Sequence, residues 1–157
     1  MFEELKKDAI FYERSGGGVT LSGGETLAQP EFATSILGLC QGACIHTALE
    51  TCGHAEWGIF EEALKPVDLL LYDFTHMDPV KHKKYTGVSN RLIPDNARRA
   101  SHKLSIPMWA RIPVIPGYND SPENIEVTAR FITEELGNCV KRVNLLPYHH
   151  RLGGNKF

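Results

Sequence analysis

Five short apolar runs, separated by segments with helical spacing, most constrain how this 157-residue chain can fold. The runs cover residues 18–21, 45–50, 67–72, 108–114 and 140–146, and the third of them, VDLLLY, is apolar almost throughout. Apolar strands that alternate with helices are typical of a parallel sheet covered by helices. The sequence therefore predicts an α/β fold with five parallel strands.

Helical spacing of apolar residues fills the segments between these strands. It predicts an opening helix that stops at Ser15-Gly16, a helix from Pro30 to about Gly42, helices over residues 56–64 and 94–104, and a helix that starts at residues 121–123 and stops at residue 137. The chain begins on a helix with no strand before it and stops soon after a strand. We therefore expect a piece of a larger α/β barrel or open sheet.

The composition argues against several classes of partner. Seventeen Lys and Arg residues stand against 19 Asp and Glu residues, and these charges are dispersed, so no basic patch for nucleic acid or an anionic membrane is expected. No apolar run approaches the roughly 20 residues that span a bilayer, and the opening MFEELKKDAIFYER is amphipathic, unlike a signal peptide. We expect a cytoplasmic protein with no nucleic-acid or membrane partner.

Polar or glycine-rich residues follow every predicted strand. The five strand ends carry SGGE (22–25), ETCG (50–53), DFTH (73–76), Arg111 with the turn IPG (115–117), and LPYH (146–149). The carboxyl ends of parallel strands meet at one edge of a sheet, so these groups predict a ligand site there. Three carboxylates and one arginine favour a ligand with an ammonium group or several hydroxyls. A phosphate ligand is disfavoured because the chain has no Walker lysine.

The two glycine clusters in RSGGGVTLSGGETLAQ have different predicted roles. Residues 16–18 release the chain from the opening helix into the first strand. Gly23 and Gly24 leave the main chain open to close approach by a ligand, with the Glu25 carboxylate beside them. A glycine pair after a strand is usually only a turn, so this prediction depends on the other four strand ends.

Several ordered motifs together resemble a known family. GGGVTLSGGE, ETCG, LYDFTHMD, KYTGVSN, RIPVIPGYND and LPYH follow one another as in the activating enzymes of glycyl-radical enzymes, the pyruvate formate-lyase-activating type of radical S-adenosylmethionine (SAM) protein. The resemblance covers nearly all of the chain. It implies a partial parallel (β/α) barrel of six strands, of which five are present and the first strand and cluster loop are missing. Residues 1–157 are then a single incomplete radical SAM domain.

The resemblance implies a cofactor-binding role at each strand end. It implies that Gly23, Gly24 and Glu25 hold the methionyl amino group of SAM, with Glu50 and Thr51 assisting at the same ligand. It also implies that Asp73 contacts the ribose region, that Arg111 flanks the adenosine and that His149 closes over the cofactor. Thr75 stands where the family usually has a lysine, which removes a cation from the site.

The resemblance also implies an activity for the intact enzyme. SAM is reductively cleaved to a 5′-deoxyadenosyl radical, which abstracts hydrogen from a glycine of a partner such as pyruvate formate-lyase, with flavodoxin or ferredoxin as electron donor. A [4Fe–4S] cluster held by Cys-x3-Cys-x2-Cys supplies the electron in the family. Here Cys40 and Cys44 have the first spacing, but the third position is Thr47, and we expect both cysteines on a buried helix face. The chain alone is therefore predicted to be inactive, with no catalytic residue or metal ligand.

Two other functions stay open. One is a shortened, non-catalytic module that binds SAM or the glycyl-radical partner without chemistry. The other is a metal-dependent barrel hydrolase that uses Glu25, Asp73 and His149. Among the remaining polar residues, Cys52 is predicted to be a structural thiol, and His76 and His82 are predicted to be solvated.

Overall fold

A five-stranded sheet forms the centre of the computed structural model, which describes residues 1–148. Its strands are β1 (Gly18–Leu21), β2 (His46–Thr51), β3 (Leu69–Asp73), β4 (Met108–Val114) and β5 (Val140–Pro147). They lie side by side in chain order, and each neighbouring pair is parallel. The predicted α/β fold with five parallel strands is therefore confirmed.

Helices occupy the connections between the strands. They are α1 (Phe2–Leu5), α2 (Ala9–Ser15), α3 (Pro30–Gly42), α4 (Trp57–Leu64), α5 (Pro79–Thr86), α6 (Leu92–Arg99) and α7 (Pro122–Arg130). The predicted opening helix is interrupted, because a 3-10 turn at Lys6–Asp8 separates α1 from α2. Gly16 then ends α2 in the left-handed conformation, as predicted. No helix within residues 1–148 is long and apolar enough to cross a membrane.

Alternation along the strands gives the sheet a covered face and an open face. Leu49 and Tyr72 point to the covered face and are fully buried in the main apolar core. Glu50, Asp73 and Arg111 have the opposite parity along their strands and are only partly buried. The register that pairs Asp73 with Arg111 brings these charged side chains together on the open face.

Helix α5 was not predicted, although its end signals are present in the sequence. The Asp78 side chain accepts hydrogen bonds from the N–H groups of Val80 (2.7 Å) and Lys81 (3.0 Å), and Pro79 occupies the first turn. Gly87 ends the helix with a φ of 85°. His82 is its only buried residue, so the helix has no apolar stripe for a periodicity argument to detect.

The two long predicted helices end in wider turns. Helix α6 continues as a π-helix over Ala100–Leu104, and α7 continues as a π-helix over Phe131–Leu136. The two π-helices contact each other, since the Ser101 hydroxyl donates to the Leu136 carbonyl at 2.9 Å, and Arg98 of α6 pairs with Glu135 of the second π-helix. This contact ties together the helices that precede β4 and β5.

Three surface predictions were wrong. Cys40 is fully buried as expected, but Cys44 is exposed, because α3 ends at Gly42 and Cys44 turns out with a positive φ of 57°. His76 and His82 are 5% and 3% exposed, not solvated. Each histidine has a backbone partner: the His76 ring accepts from the Asp78 N–H at 3.0 Å, and the His82 ring lies 2.8 Å from the Val88 carbonyl oxygen. Local hydrogen bonds of this kind leave no trace in hydrophobic periodicity.

Tyr72 and Gly53 pack closely together beside the carboxyl edge. The Tyr72 ring packs between Phe60 and Phe74, with centroid distances of 6.1 and 5.1 Å, and its hydroxyl donates to the Ile93 carbonyl at 2.6 Å. Gly53 follows β2 with a φ of 68°, and a Cβ atom there would lie 2.0 Å from the Tyr72 hydroxyl oxygen. Only glycine satisfies both the φ and the space.

We therefore expect Gly53→Ala to lower the free energy of unfolding by about 3 kcal/mol or more, through left-handed strain and overpacking against Tyr72. Urea denaturation followed by circular dichroism measures this change. Gly58→Ala in α4 is the matched control: a Cβ there meets no atom within 4 Å, and alanine should stabilise the helix by up to about 1 kcal/mol. Equal stability of the two variants would contradict the proposed contact.

Candidate functional site

Eight of the nine predicted site residues lie in the described part of the chain, and His149 lies outside it. Seven of them follow or end β1, β2 and β3, and Arg111 lies within β4 opposite Asp73, so all eight lie at or near the carboxyl edge of the parallel sheet. Five of them fall into two contact groups, which are Glu25 with Thr51, and Arg111 with Glu50 and Asp73.

The Glu25 carboxylate joins the loop after β1 to the loop after β2. Its Oε1 accepts from the Thr51 hydroxyl at 2.6 Å and from the Leu27 N–H at 3.0 Å. Its Oε2 accepts from both the N–H and the thiol of Cys52, each at 3.1 Å. Four donors saturate the acceptor capacity of a carboxylate. Glu25 therefore fixes the SGGE loop against the ETCG loop.

These hydrogen bonds decide the protonation state of Glu25. Burial of the carboxylate would raise its pKa, but the donors from Thr51, Leu27 and Cys52 outweigh burial and hold the pKa below its ordinary value. Cys52 shows the reciprocal effect: burial and the adjacent Glu25 carboxylate raise the pKa of its thiol to about 12. The pair is thus an ionised carboxylate with a protonated thiol donor.

Two further hydrogen bonds brace the same loops. The Thr26 hydroxyl donates to the Glu50 carbonyl at 2.7 Å, and the Gly53 N–H donates to the Thr51 hydroxyl oxygen at 2.9 Å. Thr51 therefore accepts from one loop residue while donating to Glu25. The ends of β1 and β2 form a single hydrogen-bonded unit.

Arg111 lies between two carboxylates on the open face. Its Nη1 is 2.5 Å from Glu50 Oε2, and its Nε is 3.2 Å from Asp73 Oδ1. The three side chains are between 19% and 24% exposed. Arg111 Nε and Asp73 Oδ1 are buried, and neither has a hydrogen-bond partner among the residues described. Polar atoms left in this state are candidates for contact with a bound polar group.

Asp73 is the titratable group that this arrangement perturbs most clearly. Burial raises its pKa to about 6, the Arg111 guanidinium opposes the rise, and the nearby carboxylates of Glu50 and Glu25 add to it. A cationic or hydrogen-bond-donating ligand beside Asp73 would favour its ionised form. This carboxylate is therefore the natural partner for positive charge at the edge.

Gly23 and Gly24 form the open part of the edge. Both are exposed, and a Cβ built on either meets no atom within 4 Å. Gly23 has a φ of 149°, in the region that favours glycine. The φ of Gly24 lies outside that region. The open space beside Gly24 is therefore not needed for packing within the described chain, and it gives access to the main chain.

Buried asparagines, which the sequence reasoning missed, fix the loop that carries Thr75. Asn119 donates to the Thr75 carbonyl at 2.7 Å and to the Pro113 carbonyl at 2.5 Å, while its own oxygen accepts from the Ile115 N–H. Asn90 donates to the two carbonyls that follow Thr75 in the chain, those of residues 76 and 77. The signal for Asn119 was its place in the turn PGYND.

The loop after β2 is held in the same way. Asn96 donates to the carbonyls of Gly53 and Ala55, each at 2.8 Å, and its Oδ1 is buried with no partner in the described chain. Asn96 lies inside a predicted helix, where nothing in the sequence distinguishes it from a surface residue. Its function became visible only when α6 was placed against this loop.

The described residues do not offer a site for an iron–sulfur cluster. Within residues 1–148, no three His, Cys, Asp or Glu side chains group so that they could hold a metal ion. Cys40 is buried in the core, Cys44 is exposed behind α3, and Cys52 is bonded to Glu25. That these cysteines are not cluster ligands stays a prediction.

The sequence and the fold of this chain both match a known family. Residues 2–132 match the sequence profile of the Radical SAM superfamily. A solved domain of pyruvate-formate lyase-activating enzyme from Bacteroides vulgatus superposes with a TM-score of 0.76 at 38% identity, covering 85% of this chain and 81% of that domain. The chain belongs to the radical SAM superfamily.

Relatives within the superfamily are more specific. The isethionate sulfite-lyase activating enzyme of Oleidesulfovibrio alaskensis is 46% identical over 98% of this chain and 48% of its own length. The pyruvate formate-lyase-activating enzyme of Clostridium pasteurianum is 43% identical over 99% of this chain and 65% of its own length. Homologues of the chain are thus activating enzymes of glycyl-radical enzymes, as the resemblance implied. The chain spans about half the length of the first of these relatives.

The raised pKa of Asp73 predicts a pH dependence of stability. Its pKa is about 6 in the folded chain against an ordinary 3.8, so the folded chain binds more protons than the unfolded chain between these values. The stabilisation that protonated Asp73 gives is present below pH 4 and is lost as the pH rises through 6. We expect the stability of Asp73→Asn, relative to the parent chain, to increase from pH 4 to pH 7. Urea denaturation across this range measures it.

Glu126→Gln, at an exposed position of α7, is the control for that experiment. Its stability relative to the parent chain should not change in the same way over this range. A parallel pH dependence of Asp73→Asn and the parent chain would contradict the assignment.

The Cys52–Glu25 contact predicts that the Cys52 thiol reacts slowly with alkylating reagents. A thiol with a pKa of about 12 holds almost no thiolate at pH 8, so we expect Cys52 to react with iodoacetamide more than about 100-fold more slowly than the exposed Cys44. Glu25→Gln should accelerate Cys52, because it removes the carboxylate that helps to raise this pKa. Mass spectrometry of the labelled native chain measures both rates. An unchanged Cys52 rate in Glu25→Gln, with the chain still folded, would show that Glu25 does not control the thiol.

Proposed function

We propose that this chain is the SAM-binding part of an activating enzyme that installs a glycyl radical on a partner enzyme. The observation that carries the proposal is the carboxyl edge itself. There the Glu25-linked SGGE and ETCG loops stand next to the Arg111–Glu50–Asp73 group, in a chain of the radical SAM superfamily. Because the chain spans about half of the first relative's length, the activity of the whole enzyme stays a proposal.

The charge at this edge suits SAM. Three carboxylates, Glu25, Glu50 and Asp73, face one guanidinium, Arg111, which gives a formal charge of −2 when all four are ionised. SAM carries a sulfonium and an ammonium, and both are attracted to such an edge. Asp73 Oδ1 and Arg111 Nε form an ion pair at 3.2 Å but no aligned hydrogen bond, so both keep hydrogen-bonding capacity for the ligand. The residues present therefore fit this cofactor.

Each predicted site residue keeps a proposed role toward SAM. Gly23 and Gly24 would offer the main chain to its amino end, and their free space supports this role. Glu25, whose oxygens are already saturated, would act by holding that loop in place. The residues proposed to contact the rest of the cofactor are Glu50, Thr51, Asp73, Thr75, Arg111 and, outside the described residues, His149.

Thr75 changes the net charge of the site. With threonine where the family usually has lysine, Arg111 is the only cation among the nine predicted site residues. Arg111 already faces both Glu50 and Asp73. The edge is therefore more negative than the family pattern implies.

The chemistry belongs to the bound cofactor. In this family, SAM and a [4Fe–4S] cluster together supply the radical that activates the partner. The residues of this chain bind and orient SAM and exclude water, and none of them is proposed as an acid or base. The partner would be a glycyl-radical enzyme, and the electron donor a flavodoxin or ferredoxin.

A non-catalytic SAM-binding module is the second candidate. Both functions require SAM at the same edge, so the two differ only in the formation of a radical on the partner. The hydrolase alternative is disfavoured by the family and its relatives.

Gly24→Val tests the binding site without disturbing the fold. Gly24 is exposed, has no positive φ and has free space, so valine should be tolerated by the chain but should block the main chain from a ligand. In isothermal titration of SAM into the 157-residue chain, we expect at least about tenfold weaker binding, equivalent to about 1.4 kcal/mol. Glu25→Ala should also weaken binding, through loss of the loop linkage.

Glu31→Ala, at an exposed position in the first turn of α3, is the control and should bind SAM like the parent chain. Unchanged binding by Gly24→Val, or no SAM binding by the parent chain at millimolar concentration, would refute the proposal. Partner choice is tested by measuring binding of the chain to immobilised glycyl-radical enzymes, beginning with isethionate sulfite-lyase and pyruvate formate-lyase, the partners that the relatives' names indicate.

A further inference from the structure

We propose that Asn96 of α6 is a positioning residue for SAM, which acts on the cofactor through the hydrogen bonds of Glu25. This role rests on the proposed function, because it concerns the loops that are proposed to hold SAM. Asn96 is 1% exposed, and its side-chain amide donates to the carbonyls of Gly53 and Ala55, each at 2.8 Å. One buried side chain therefore fixes the path of the loop after β2.

Three consecutive hydrogen bonds link Asn96 to Glu25. Asn96 donates to the Gly53 carbonyl, and the Gly53 N–H donates to the Thr51 hydroxyl oxygen at 2.9 Å. The Thr51 hydroxyl then donates to Glu25 Oε1 at 2.6 Å. Hydrogen bonds in such a chain polarise and strengthen one another. A displacement of Gly53 would therefore redirect the Thr51 hydroxyl and weaken its bond to Glu25.

Helix α6 is anchored on both sides of Asn96. One turn before it, the Ile93 carbonyl accepts from the Tyr72 hydroxyl of β3 at 2.6 Å. One turn after it, the Arg99 guanidinium lies 5.4 Å from the ring centroid of Trp57, in the helix that follows the loop. Contacts to β3 and to α4 thus hold α6 in place, and Asn96 acts on the loop from a fixed position.

Packing alone does not account for an asparagine at position 96. The buried residues of α6 are Ile93, Asn96 and Ala97, and Asn96 is the polar one. Its Oδ1 is buried without a hydrogen-bond partner among residues 1–148, and a buried acceptor in this state costs stability. What Asn96 supplies, and an apolar side chain could not, is a pair of donors for the loop.

Cys52 provides a measurement of this arrangement that does not need SAM. Cys52 directly precedes Gly53, and its N–H and thiol both donate to Glu25 Oε2 at 3.1 Å. When Asn96 no longer holds the loop, Cys52 moves away from the carboxylate and its thiol reacts faster. A residue that only stabilises the fold would not have this local effect.

The experiment compares Asn96→Ala with Ser101→Ala in the 157-residue chain. Ser101 is the matched control, because it is 4% exposed in the continuation of α6 and its hydroxyl donates to the Leu136 carbonyl, 35 positions away. We expect Asn96→Ala to bind SAM about tenfold more weakly in isothermal titration and to speed iodoacetamide labelling of Cys52 about tenfold. Ser101→Ala should change neither quantity, although both variants should be less stable than the parent chain.

Asn96→Leu is the second variant, for the case that Asn96→Ala does not fold. Leucine fills the space, removes both donors and also removes the unpartnered Oδ1, so it should show the same two changes in a stable chain. Unchanged SAM affinity in a folded Asn96 variant overturns the role of Asn96 while the proposed function stands. Equal acceleration of Cys52 by Ser101→Ala also overturns it, because lower stability then explains the effect.

Failure of the proposed function gives a different result. A parent chain that does not bind SAM refutes that function and, with it, the role of Asn96 toward the cofactor. The Cys52 labelling rates are measured without SAM, so they still decide whether Asn96 positions the loop.

Discussion

The hydrogen bonds to Glu25 are the interaction on which the candidate site depends. One carboxylate receives four donors, three of which come from the last residue of β2 and the loop after it. Parallel neighbours have no hairpin between them, so the loops at their carboxyl ends need a tie of their own. Glu25 supplies that tie beside Gly24, where the main chain must stay open. A charged tie is strong because its donors also keep the carboxylate ionised.

Arg111 of β4 links β2 and β3 through ion pairs with Glu50 and Asp73. It balances Glu50 and Asp73 on the open face, yet its contact with Asp73 leaves a buried polar atom unsatisfied on each side. A site that satisfied every atom internally would have nothing left to offer a ligand. The contrast is informative: the Glu25 group is closed and structural, whereas the Arg111 group is incomplete and suited to binding.

Sequence reasoning recovered the sheet because each strand left a strong local signal. The strand ends could also be predicted, since a parallel sheet places them at one edge, and this brought Glu25 and Arg111 into the site. The residues it missed act through long-range contacts. Asn96 and Asn119 bond to carbonyls 43 and 44 positions away, and although Asn119 lies in the turn PGYND, no local pattern shows which carbonyls these residues contact. Helix α5 was missed because it buries only His82.

The buried asparagines also explain why the edge keeps its charges for the ligand. Asparagine satisfies carbonyl groups without adding charge, so Asn96 and Asn119 fix the outer loops while leaving the field of the edge to the carboxylates and Arg111. Charged residues in those positions would have shifted the pKa of Asp73 and altered the attraction for a cationic ligand. The asparagines thus hold the outer loops rigid, whereas the carboxylates and Arg111 set the charge of the edge. With Thr75 neutral as well, the charge of the edge is set by three carboxylates and one guanidinium, and any cation bound there must be balanced by them.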